Sequence, residues 1–133
     1  MTDKINDTLI LLARLAIAAL FLQAGIGKLF EIPGFAASLA TKGVPFSGIA
    51  VYLVILVEIL GAFALILGVK AKETSTILLI FTCIATLLSH AFWSFPDEVR
   101  DAQQGQFFKN LAIIGGLLLY FVTGPGKYRP VSL

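Results

Sequence analysis

Four long apolar blocks constrain this chain more than any other feature of its sequence. They cover about residues 8–30, 47–69, 74–95 and 107–123. Each block is close to the ~20 residues that an α-helix needs to cross a bilayer. Because lipid offers the backbone no hydrogen-bond partners, blocks of this kind must be helical. The sequence therefore predicts an all-α fold, a four-helix transmembrane bundle that forms one membrane domain over residues 1–133.

The composition agrees with a membrane protein and excludes several classes of function. Apolar residues make up 58% of the 133 residues and charged residues 14%, whereas a soluble domain has ~45–50% and ~25%. This balance argues against a soluble enzyme, and a net charge of +2 is too small to indicate a nucleic-acid partner. The single cysteine, Cys83, and the single histidine, His90, exclude an internal disulfide and a bis-histidine haem within one chain. No metal site is predicted.

The connections between the blocks add one short helix and several turns. Pro33 suits the start of a helix, and apolar residues share one side of the segment that follows it. The sequence therefore predicts a short interfacial helix over residues 33–41, between the first and second spans. The connection at residues 70–73 is tight, and residues 96–106 are expected to form a polar, water-exposed loop with some helix. A Gly-Pro-Gly sequence at residues 124–126 ends the fourth span.

Four spans place both termini on the same side of the membrane. That side would carry six of the ten basic residues and the other side four. The positive-inside rule therefore predicts cytoplasmic termini, in a multi-pass protein of the cell's inner membrane. The first block is expected to be a span and not a cleaved signal peptide, because it is long and its flank carries Asp3 and Asp7.

Charged residues inside the apolar blocks are the first candidates for function, because they are costly in lipid. Glu58 is the only carboxylate in any block, and it lies near the middle of the second. Arg14 is the cation nearest to it in depth, at ~1.5 Å of rise per residue. The sequence therefore predicts an Arg14–Glu58 ion pair. The alternative is that Arg14 extends to the headgroups and Glu58 is a protonated, hydrogen-bonded acid.

The first block offers two faces that could point into the bundle. One carries Arg14, Ala18, Phe21, Gly25 and Lys28, and the opposite face has small residues around Gln23. Small residues allow helices to approach closely in lipid, so one face is expected to contact the bundle and the other a second copy of the chain. The later blocks also contain small residues four positions apart. The protein is therefore predicted to be a homo-oligomer.

A second group of polar residues lies toward the side opposite the termini. Five residues of this group are expected to line an outward-facing pocket, namely Gln23, Lys28, His90, Lys109 and Asn110. Glu58 is expected to be the functional centre beside them. His90 could transfer a proton, donate to a quinone carbonyl or bind a metal. The alternative for His90 and Lys109 is that they are interfacial residues without a ligand.

The order of these residues resembles that of the DoxX family of small four-helix membrane proteins, over about residues 8–130. The matching motifs, in chain order, are Arg14-Leu15, Phe21, Gly25, Lys28-Leu29, Gly43-Val44-Pro45, Glu58, Gly61, Leu67-Gly68, His90, Phe92-Trp93, Phe108-Lys109-Asn110-Leu111, Gly115-Gly116 and Gly124-Pro125-Gly126. The resemblance implies that the face with Arg14 and Lys28 points inward. It also implies kinship with the membrane subunit of an archaeal thiosulfate:quinone oxidoreductase and with thiol-handling complexes.

The residues and the resemblance together suggest three hypotheses for function. The first is a redox-associated subunit, quinone-linked or thiol/sulfur-linked, that binds a small amphipathic ligand such as a quinone or a lipid and works with a redox partner protein. The second is an oligomeric transporter of a small solute or lipid, with Glu58 as its gate. The third is a non-catalytic membrane scaffold. The isolated chain is not expected to be an enzyme, because it has no motif for an electron carrier or a nucleophile.

Overall fold

The computed structural model describes residues 2–130, and this part of the chain is helical with no strand. The α-helices are α1 (Thr2–Leu29), α2 (Ile32–Thr41), α3 (Ser47–Leu67), α4 (Ala71–Ser89) and α5 (Asp97–Thr123), and a 3-10 helix covers Phe92–Ser94. Helices α1, α3, α4 and α5 are each long and apolar enough to cross a membrane. The predicted all-α bundle with four spans is therefore confirmed.

Helix α2 confirms the short helix predicted between the first two spans. It begins one residue before the predicted start, with a proline in its first turn, where the missing N–H of proline costs nothing. Leu39 on its inner side is buried against Val51 and Ile55 of α3. This apolar contact holds α2 across the end of α3.

Residues 96–106 were predicted to be a polar, water-exposed loop with some helix, and the structure makes all but the first of them part of helix α5. The helix begins at Asp97 and runs without a break into the fourth span. Asp97 and Glu98 lie in its first turn, where carboxylates interact favourably with the helix dipole, and Asp97 forms an ion pair of 2.8 Å with Arg100. Polar composition indicated exposure to water correctly, but these local interactions make the exposed segment a helix.

The four long helices form a ring in which α1 contacts α3 and α5, and α4 contacts the same two helices. The bundle has two ends. The terminal end holds the start of α1, the α3–α4 turn and residues 124–130, and the end across the bundle from it is called the opposite end.

The larger apolar core lies in the half of the bundle toward the terminal end. It includes Phe21, Leu65, Leu78, Leu117 and Tyr120. The buried residues of α1 are Arg14, Ala18, Phe21 and Gly25, so the inward face that the resemblance implied is confirmed.

Arg14 fastens the terminal end of the bundle. Its side chain is buried, with 1% exposure, and donates four hydrogen bonds of 2.6–2.8 Å to carbonyl oxygens. Two acceptors, the carbonyl oxygens of Leu65 and Ile66, lie in the last turn of α3, where a positive charge is favourable. The other two, on Pro125 and Tyr128, belong to the segment after α5. Arg14 therefore joins α1, the end of α3 and that segment.

We predict that Arg14→Met lowers the free energy of unfolding by about 3 kcal/mol or more, because several carbonyls lose a charged donor. Arg14→Lys should recover only part of the loss, since an ammonium cannot reproduce the planar set of guanidinium donors. Unfolding in mixed micelles measures both effects. Lys4→Met, which removes an exposed lysine of the same helix, is the control. Full recovery by Arg14→Lys would contradict the geometric role.

We also predict that the two ends of the bundle lie on opposite sides of the membrane, with the termini in the cytoplasm. In a Cys83→Ser background, Gln104→Cys and Lys127→Cys should react with an impermeant maleimide from opposite sides, Lys127→Cys from the cytoplasm. Labelling of both positions from one side would show that the topology is wrong.

Candidate functional site

The central charged group of the bundle is an ion pair between Lys28 and Glu58. The Lys28 ammonium donates to both carboxylate oxygens, at 2.9 and 3.1 Å. The side chains are 20% and 6% exposed, respectively. A carboxylate at this depth needs a partner inside the protein, and Lys28 supplies it through two charge-assisted hydrogen bonds.

The close packing of α1 on α3 explains why Lys28 reaches Glu58. A Cβ atom added to Gly25 would lie 2.7 Å from Cγ1 of Ile59 and 3.1 Å from Cβ of Glu58, so only glycine allows this approach. Lys28 follows three residues later, about one turn farther toward the opposite end. Helical side chains lean back toward the N-terminus of their helix, which directs the ammonium of Lys28 toward Glu58.

The predicted Arg14–Glu58 ion pair is wrong. Glu58 lies beside Gly25, and 11 residues of helix separate Gly25 from Arg14, which corresponds to about 16 Å. The depth comparison failed because α1 begins at Thr2 and not near residue 8, and because contacts between helices set their relative height. The alternative, that Arg14 extends to the headgroups, is wrong as well, since Arg14 is buried.

A cavity of about 560 Å³ occupies the half of the bundle toward the opposite end. Five of the six residues predicted for the site line it, namely Lys28, Glu58, His90, Lys109 and Asn110. Arg14, the sixth, does not. The convergence of the outer polar residues with Glu58 on one pocket is therefore present in the structure.

The interior of the cavity is mostly apolar. Phe21 of α1 and Phe81 of α4 meet across the bundle, with ring centroids 6.5 Å apart, and both rings line the cavity. Further apolar walls come from Val54 of α3, Leu88 of α4 and Ile113 of α5. The cavity can accordingly hold a hydrocarbon or ring portion of a ligand against its walls.

A chain of hydrogen bonds connects α5 with α4 at the wall of the cavity. The Nδ2 amide of Asn110 donates to Oγ1 of Thr86 at 3.0 Å, and the Thr86 hydroxyl donates to the carbonyl oxygen of Thr82 at 2.6 Å. Asn110 is thereby fixed in orientation and keeps its carbonyl oxygen as an acceptor. Asn110 thus holds its helix to α4 as well as lining the cavity.

Two further contacts at the opposite end involve residues that were not predicted for the site. Nδ1 of His90 lies 2.7 Å from Oε1 of Gln103, and the ammonium of Lys42 donates to Oγ of Ser89 at 3.0 Å. Gln103 was missed because residues 96–106 were expected to be a loop. The spacing of polar residues could have revealed it, because Gln103, Gln106 and Asn110 follow one another at helical intervals.

A metal site is not formed by His90 and its neighbours. Within residues 2–130, no three His, Cys, Asp or Glu side chains are placed to share a metal ion. The contact that His90 does make is the one with Gln103, which fixes the orientation of its ring. Lys109 is exposed at the rim of the cavity.

Comparison with known proteins agrees with this architecture. The DoxX family model matches residues 9–91. The Escherichia coli inner membrane protein YqjF is 36% identical over 125 residues, which cover 94% of this chain and 91% of that protein. The E. coli inner membrane protein YphA is 26% identical over 121 residues, 91% of this chain and 86% of that protein.

A eukaryotic relative matches over a smaller share of its own length. The Surfeit locus protein 4 homolog of Schizosaccharomyces pombe is 38% identical over 107 residues, which are 77% of this chain but 34% of that protein. No solved structure matches significantly. The family model covers more than half of the chain and YqjF matches over nearly its full length, so this chain is an integral membrane protein that belongs to the DoxX family.

Proposed function

We propose that this DoxX protein is a membrane subunit that holds a small amphipathic molecule, a quinone or a lipid, in the cavity beside Lys28 and Glu58. The observation that carries the proposal is a buried ion pair that opens onto an apolar cavity. The cavity volume of about 560 Å³ lies within the ~300–1,000 Å³ of small-molecule sites, which are typically apolar with a few polar groups.

The polar groups of the cavity suit a ligand with oxygen atoms at one end. The ammonium of Lys28 donates to Glu58 and lies 5.0 Å from the centroid of the Phe35 ring. An ammonium has three donors, so Lys28 could also donate to a carbonyl oxygen of a ligand. Glu58 can accept a hydrogen bond from a hydroxyl group. His90 lies at the outer end of the same cavity. This set supports binding of a quinone headgroup or a lipid headgroup.

The subunit is proposed to work with other chains in the inner membrane, with both termini in the cytoplasm. YqjF and YphA are named as inner membrane proteins, which supports the location. A redox partner protein would exchange electrons with a bound quinone. Association of several copies is supported by the outer face of α1, where Ala16, Ala19 and Gly27 are exposed, because small residues favour helix contacts in lipid.

We predict that the two single substitutions of the ion pair lower the free energy of unfolding by different amounts, and that their effects are not additive. Lys28→Met should lower the free energy of unfolding by about 3–5 kcal/mol, because Glu58 remains buried without its partner. Glu58→Gln should cost less, since the partly exposed Lys28 can extend toward the mouth of the cavity. The double variant should cost clearly less than the sum of the single variants.

Unfolding titrations of the purified protein in mixed micelles measure this cycle. The matched control is Arg14→Met with Glu58→Gln, whose effects should add because the two residues share no contact. Zero coupling between Lys28 and Glu58, or strong coupling between Arg14 and Glu58, would contradict the proposed pair.

We predict that the cavity takes up a neutral amphiphile. Decylubiquinone added to the protein in nanodiscs should quench Trp93 in a saturable manner, because Trp93 packs against Phe107, which lies between the cavity residues Gln106 and Lys109. Ala85→Phe, which fills the cavity, should remove the saturable part. Leu87→Phe is the control, since Leu87 is exposed on the same helix.

Mass spectrometry of the small molecules that copurify with the protein tests the same proposal without an added probe. A quinone or lipid should be retained by the wild type and lost in Ala85→Phe. The proposal fails if Ala85→Phe changes neither the binding of decylubiquinone nor the retention of a copurified quinone or lipid. The scaffold hypothesis would then be favoured.

A further inference from the structure

We infer that the amphipathic molecule held in this cavity carries a negative charge at its polar end. The inference rests on the proposed function and, of its two ligand classes, favours a lipid over a neutral quinone. The ligand is then an amphipathic anion, a molecule with a hydrocarbon part and a carboxylate, sulfonate or phosphate group. It rests on the charged residues that line the cavity and on their positions in the fold.

The cavity lining has more positive than negative charge. Three lysines line it, Lys28, Lys42 and Lys109, together with a single carboxylate, Glu58. Glu58 is already paired with Lys28. Over residues 2–130, the other ion pair of the protein joins Asp97 and Arg100, so neither Lys42 nor Lys109 has a carboxylate partner there. Two positive charges of the lining are left uncompensated.

These two lysines come from different elements and line the same cavity at the opposite end. Lys42 follows α2, and its ammonium is bonded to the Ser89 hydroxyl at the end of α4. This bond uses one of its three donors and leaves two for a ligand. Lys109 stands on α5, next to Asn110. Both lysines are exposed, and an anion at the mouth could contact both.

The other acidic residues of this end lie outside the cavity. Glu31 precedes α2, and Asp97, Glu98 and Asp101 lie in the first turns of α5. None of them lines the cavity. Glu58 lies deeper in the bundle, where it would repel an anion, so the charged end of the ligand belongs at the mouth and its hydrocarbon part lies inside.

The apolar walls of the cavity strengthen its preference for an anionic over a neutral amphiphile. A cleft with charges of one sign and walls of low dielectric constant concentrates the electric field in its opening. The inner walls come from Phe21, Phe81 and Ile113, which offer hydrocarbon contacts but no compensating charge. A neutral amphiphile gains only the apolar contacts, whereas an amphipathic anion gains both.

The test compares dodecyl sulfonate, a permanent anion, with 1-dodecanol, which has the same hydrocarbon chain and no charge. Binding of each radiolabelled probe to the protein in phosphatidylcholine nanodiscs is measured, and the signal that remains in Ala85→Phe is subtracted. We expect the sulfonate to bind at least about tenfold more tightly than the alcohol, a preference worth ~1.4 kcal/mol.

Variants at the mouth assign the preference to the lysines. Lys42→Gln/Lys109→Gln should remove it and leave dodecanol binding unchanged. The matched control, Lys4→Gln/Lys127→Gln, removes two charges at the terminal end and should change neither probe. Lys109→Gln alone, which loses none of the hydrogen bonds described here, should weaken sulfonate binding by several-fold even if the double variant is unstable.

The failures of the inference and of the proposed function are distinguishable. Equal, cavity-dependent binding of both probes would overturn the inference and leave the proposed function standing, whereas no cavity-dependent binding of either probe would overturn both. An equal loss of sulfonate binding in both double variants would also overturn the inference, since it would reflect the charge of the whole protein.

A final experiment distinguishes two kinds of anionic ligand, a phospholipid and a single-chain acid. The sulfonate measurement is repeated in nanodiscs that contain phosphatidylglycerol. Competition by phosphatidylglycerol would identify a phospholipid headgroup as the anion, and unchanged binding would identify a single-chain acid. Either result supports an anionic ligand.

Discussion

A charge inside a bilayer is stable only beside a partner within the protein, and the two inward-facing cations of α1 have different kinds of partner. Arg14 is surrounded by backbone carbonyl oxygens, whereas Lys28 binds the carboxylate of Glu58. Guanidinium has five donors in a plane and suits several carbonyls at once. An ammonium on a flexible stem suits a single carboxylate. The two cations thus mark the two ends of the molecule, Arg14 the packed terminal end and Lys28 the end that contains the cavity.

The terminal end is closed and the opposite end is open. Around Arg14 the helices pack on a continuous apolar core, and the segment after α5 is drawn over the end of α3. Beyond the Phe21–Phe81 contact the same helices enclose a cavity. Gly25 brings α1 close enough to α3 for Lys28 to reach Glu58, so the ion pair stays at the wall of the cavity.

Membership in the DoxX family establishes the architecture more firmly than the activity. YqjF matches this chain over nearly its full length, whereas the chain spans only 34% of the fission-yeast relative. A shared fold carries many functions, so the function has to be derived from the cavity. The lining combines apolar walls, the Lys28–Glu58 ion pair and two lysines that form no ion pair within residues 2–130. These features are the basis of the proposed amphipathic ligand.

The sequence by itself determined the spans, the short helix after the first span, and the group of residues that share the cavity. These follow from composition and periodicity, because lipid forces apolar blocks to be helical and polar residues to face inward. The inward face of α1 needed the family resemblance as well, since spacing alone fitted two faces. Lys28, Glu58, His90, Lys109 and Asn110 could therefore be predicted as one site.

Only the tertiary structure decided which of these residues contact each other. The partner of Glu58 depends on the height of α1 relative to α3, which is set by the contact of Gly25 with Ile59 and not by position in the sequence. The role of Arg14 depends on carbonyl groups up to 114 residues away along the chain. Backbone acceptors of this kind have no signature in the sequence, because every residue carries one.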